Sequence, residues 1–67
     1  MASKQEIYEV IKNNPGIRKR YIASELNTTV LSLLDTMNHM RAQGMIRAEY
    51  YQDSANMEFY DKWYIVK

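Results

Sequence analysis

Sixty-seven residues make one small domain, a size that buries only about 60% of its unfolded surface and leaves little stability in reserve. The absence of cysteine excludes a disulfide framework or a thiolate metal site, and one histidine cannot build a zinc site without several carboxylates beside it. A formal net charge of +1 argues neither for nor against an anionic partner, and no apolar run approaches the roughly 20 residues that span a bilayer. The opening MASKQEIYEV lacks the apolar centre of a signal peptide, so the expected setting is a reducing cytoplasm, away from membranes.

The spacing Ser3-Lys4-Gln5-Glu6 fits a capping box, which starts a first helix predicted over 4–13. Ile7, Val10 and Ile11 give it an apolar face at i, i+3 and i+4. Asn13-Asn14-Pro15-Gly16 ends it, because Pro15 disfavours helical angles at Asn14 and Gly16 permits the turn. Ile17 plugs the core ahead of a second helix over 18–26, where Ile22 and Leu26 are i, i+4 and Ala23 is small enough for close contact. Arg18-Lys19-Arg20 stands at the start of that helix. Cations there oppose the macrodipole by a few tenths of a kcal/mol each, which a bound phosphate would offset. Three solvated side chains on a turn would look the same.

Asn27 suits the left-handed end of the second helix, and Thr28 or Thr29 can cap a third helix over 29–43 that Gly44 stops. At about 100° per residue, Leu33, Met37, Met40 and Gly44 share one stripe with Val30 at its edge, and this is the buried face. Leu31, Asp35, Asn38 and His39 lie opposite. Leu34 flanks Leu31, so two leucines are expected at the surface. The period then changes. Strands are predicted over 45–51 and 59–66, joined by the polar stretch Gln52 to Glu58. Ile46, Ala48 and Tyr50 share one face of the first strand. Trp63 and Ile65 are expected to face the helices, alternating with Tyr64 and Val66. The fold class is α+β, three helices followed by a β-hairpin in a single domain of residues 1–67.

The stretch ELNTTVLSLLDTMNHMRAQGMI resembles the helix-turn-helix core of winged-helix transcription regulators, the MarR-like and related bacterial and phage DNA-binding domains. Ala23, Leu26, Thr29, Leu33, Met37, Met40, Gly44 and Ile46 fall on that pattern without a gap, and Asn14-Pro15-Gly16-Ile17 looks like the family's usual entry. The resemblance implies that the third helix lies in the major groove of double-stranded DNA. It also implies that the start of the second helix and the cap of the third (Thr28, Thr29) touch phosphates, and that the hairpin is a wing.

Three features depart from the pattern. The outer face of the third helix has no Lys or Arg. Arg41 is that helix's one cation, and it sits on a flank near the C-terminal end. Base readout therefore falls to Asn38 on adenine, Asp35 on cytosine N4, Ser32, Thr29, and Leu31 against a thymine methyl. Leu31 and Leu34 also suit a protein contact. The wing tip, Gln52 to Glu58, carries acids and no cation, so only Lys62 beyond it could reach a backbone. With Arg18, Lys19, Arg20, Lys62 and Arg41 as the available phosphate contacts, a monomer would bind weakly and a homodimer would double the count. Tyr50, Tyr51, Tyr60 and Tyr64 are either dimer surface or core.

The alternative is a winged-helix protein-interaction module, accessory or antirepressor-like, that uses Leu31 and Leu34. Catalysis is not expected. The chain has no phosphate-binding glycine loop, no metal-spaced cluster and no cofactor motif, and His39 reads as a surface residue. The methionines read as pliable core filler.

Overall fold

The computed structural model describes residues 2–67. Ser3 caps α1 (Lys4–Asn13) through both bonds of the box: its Oγ accepts from the Glu6 N–H at 3.2 Å, and its own N–H donates to Glu6 Oε1 at 3.1 Å. Asn14 leaves the helix with φ −137°, as its position before Pro15 requires. After the turn at Gly16 come α2 (Lys19–Glu25) and α3 (Val30–Ala42). Arg18 is the extended residue before α2 and no side chain caps that helix.

α2 and α3 end in the same way. Asn27 at φ 53° and Gly44 at φ 76° take the left-handed position. The next residue then donates back across the last turn, Thr28 N–H to the Ala23 carbonyl at 2.9 Å and Met45 N–H to the Met40 carbonyl at 3.0 Å. Gly44 itself is exposed beyond the helix, so the buried stripe of α3 is Leu33, Met37 and Met40 without it. Ile46 is buried in the following strand. Leu34 is half-buried, not exposed as the helical spacing suggested, and Val30 is 37% exposed at the start of α3.

The hairpin is longer than its composition suggested. β1 (Ile46–Asp53) pairs antiparallel with β2 (Glu58–Ile65), from Ile46 opposite Ile65 to Asp53 opposite Glu58. Gln52, Asp53 and Glu58 belong to the ladder, so the turn is only residues 54–57. Asp53 makes so short a turn workable. Its carboxylate accepts from the Asn56 side-chain amide at 2.8 Å and from the backbone N–H groups of Ala55 and Asn56. Met57 supplies a left-handed φ of 54°.

An isolated β-bridge joins the turn before α2 to the far side of β2. The Trp63 N–H donates to the Ile17 carbonyl at 3.0 Å and the Gly16 N–H donates to the Trp63 carbonyl at 2.8 Å. Ile17 thus reaches the core as expected, but through a β-bridge that the sequence did not signal. Ile7 and Ile11 of α1, Ile22 and Ala23 of α2, the α3 stripe, Ile46 and Trp63 form one buried cluster. Trp63 and Ile65 pack toward the helices, opposite Ala48 and Ile46.

Candidate nucleic-acid interface

α3 presents Leu31, Ser32, Asp35, Asn38, His39 and Arg41 to solvent, and Leu31 is 80% exposed. The helical spacing therefore holds on the outer face as well as the inner. At its start, Thr29 Oγ1 accepts from the Ser32 N–H at 3.2 Å and lies 2.9 Å from Ser32 Oγ. This bond fixes both hydroxyls at the beginning of the exposed face. Thr29 is the cap, and Thr28 is half-buried in the turn.

Arg18, Lys19 and Arg20 line one cleft but direct their charged ends over different rings. Arg18 points along the outer surface of the hairpin. Its Nη2 lies 3.2 Å from Glu58 Oε2 and its guanidinium carbon 3.5 Å from the centre of the Tyr60 ring. Lys19 extends over Trp63, with Nζ 5.3 Å from the ring centre. Arg20 is exposed beside Tyr21, at 5.7 Å from its ring. Cation–π contacts of this kind contribute on the order of 0.5–1 kcal/mol each at exposed sites. Lys62 also leaves the expected interface. It stands opposite Glu49 on the outer face, its Nζ 4.3 Å from the Tyr51 ring.

Where α2, α3 and the hairpin converge, a cleft of about 440 Å³ opens between Arg18, Lys19, Arg20 and Val30 on one side and Glu58, Phe59, Tyr60 and Asp61 on the other, with Trp63 lining it too. Phe59 and Asp61 escaped the sequence reading, although their two-residue spacing from the core-facing Trp63 places them on its side of the strand. The two acids of the wing tip also differ from expectation. Asp53 accepts bonds from neutral amides within the turn and keeps its charge, whereas Glu58 is paired with Arg18. The Asp53 carboxyl is held below its ordinary value, first by the Asn56 side-chain amide and then by the backbone N–H groups. Among the described residues no cluster of His, Asp or Glu could hold a metal ion, and no helix is long and apolar enough to cross a membrane.

The fold is shared with a solved protein. The crystal structure of the transcriptional regulator SlyA matches 96% of this chain with a TM-score of 0.72, at 19% sequence identity. The fold is a winged helix. The match takes in 42% of the SlyA chain, so this chain spans less than half of that protein's length. No family model matches the sequence, and no curated protein matches it.

Proposed function

We propose that this chain binds double-stranded DNA as a prokaryotic or phage transcription regulator in the cytoplasm, with α3 in the major groove. The observation that carries this reading is the uncovered polar stripe of α3, Ser32, Asp35 and Asn38, on a winged-helix fold whose Lys19 and Arg20 line a cleft with Val30 at the start of that helix. The regulator role of the structurally similar SlyA supports it. In this reading Asn38 and Asp35 contact base edges, Leu31 meets a thymine methyl, and Thr28 and Thr29 lie near the backbone. Lys19 and Arg20 hold phosphates, whereas Arg18 orients the wing and Lys62 adds little.

So few free cations set the expected behaviour. Two or three neutralised phosphates give log K a slope against log salt of roughly −2 to −3, and weak binding by one copy. In a titration with a random duplex at low salt, the amides of Lys19, Arg20 and Thr29 are expected to shift. No shift with protein near millimolar overturns the reading. The second reading, a protein-binding module, is favoured by the 80% exposure of Leu31. Leu34 contributes less to it, being half-buried. Leu31→Glu weakens binding in either case. Lys19→Ala and Arg20→Ala weaken it comparably only if the partner is DNA.

A further inference from the structure

The unused edge of the hairpin offers a more specific surface. The sheet order is β1-β2, with Ile17 bridged to the far side of β2, so β1 has one edge without a strand. The ladder fixes which residues face that edge. The Val66 N–H donates to the Met45 carbonyl at 3.1 Å, while Trp63 turns its N–H and carbonyl away from β1, toward Ile17 and Gly16. Residues alternate along an antiparallel ladder, so Ala48, the partner of Trp63, turns away from β2, and so do Tyr50 and Gln52. Their backbone donors and acceptors line the open edge. An open edge is a template for another strand. Tyr50 is 67% exposed beside it.

We propose that two copies of this chain pair β1 to β1, antiparallel, about a two-fold axis through Tyr50 perpendicular to the sheet. This deepens the dimer expected of the DNA reading but rests on the edge alone. In this register Tyr50 faces Tyr50 of the second copy and Ala48 faces its Gln52, all three through edge-facing backbone groups. On the outer face Arg47 stands opposite Asp53 of the second copy, and Glu49 opposite its Tyr51. The two nearest alternatives that keep the same faces together are worse. A shift one way sets Glu49 against Glu49, and a shift the other way sets Glu49 against Asp53. Like charges directly opposite destabilise a strand pair. The charges that would otherwise guard the edge thus disfavour both neighbouring registers, and cross-linking separates the Tyr50-centred pairing from one centred on Ala48. Arg47 and Glu49 are already ordered, 3.2 Å apart within the strand.

Sedimentation equilibrium of the full chain without DNA tests the pairing. The mass is expected to rise from one copy to two below about 1 mM. Tyr50→Pro removes an N–H that the single copy does not use, so the fold persists while association weakens by at least about tenfold. Register is read by cross-linking, since the chain has no cysteine of its own. Tyr50→Cys should oxidise to a linked dimer, because directly opposed residues of such a pair lie about 5.5 Å apart at Cα. Ala48→Cys alone should not link, but should link when mixed with Gln52→Cys. A wild-type chain that stays monomeric to about 1 mM overturns the proposal. So does Ala48→Cys linking as readily as Tyr50→Cys, whether or not Tyr50→Pro folds. DNA binding by a strictly monomeric chain would leave the functional reading standing while this one falls.

Discussion

Asn27 and Gly44 do the same work with different side chains, closing a helix in the left-handed region. A Cβ at Gly44 would meet no atom within 4 Å, so replacing it strains only the backbone. Gly44→Ala is expected to cost about 1 kcal/mol and to lower the melting temperature by roughly 4–8 °C, measured by thermal unfolding. Glu6 and Asp53 act through charge. The Glu6 carboxyl is held below its ordinary value of 4.5 by the Ser3 N–H and then by the Ser3 hydroxyl, and Asp53 lies below 3.8. A lowered folded value stabilises the fold above the unfolded one and is lost as pH falls through the folded one. Melting temperature should therefore fall on acidification below about pH 4.5, and less steeply in Glu6→Gln.

The elements themselves were legible in the sequence because their periods differ, 3.6 for the helices and 2 for the strands. Caps at Ser3, Thr29 and Gly44 marked the boundaries, since each uses local chemistry. What was not legible depends on partners distant in sequence. Arg18 and Glu58 are forty positions apart, and nothing near either one announces the pair. The Ile17–Trp63 bridge is hidden for the same reason, and the length of the hairpin depended on how the Asp53 side chain is used. In the candidate site, the exposed face of α3 followed from spacing, whereas the directions taken by Arg18, Lys19 and Lys62 required the rings beneath them. Arg18 joins the start of α2 to the outer face of the wing. Arg18→Ala should speed hydrogen exchange at the tip half of β2 several-fold, while global stability changes by less than about 1 kcal/mol because the pair is partly solvated.

At the scale of the molecule, the balance of charge describes this protein less well than where the cations rest. Of nine Lys and Arg, Arg18, Lys19, Arg20, Arg47 and Lys62 each lie within 6.0 Å of an aromatic ring centre. A near-neutral chain thereby keeps a positive zone at the start of α2, while the tip acids satisfy internal partners. The two β1 edges of a pair would set two such zones on one assembly, doubling the phosphate contacts without adding a cation to either copy. Trp63 lies beneath this zone, almost fully buried and with its indole N–H unpaired. It is also the one tryptophan of the chain, and the Lys19 ammonium sits over its face. The protein therefore carries its own optical reporter. The blue emission of a dry indole tracks the folded core, and a phosphate that draws Lys19 aside changes the field on that same chromophore, so one unlabelled fluorescence trace follows both folding and occupancy.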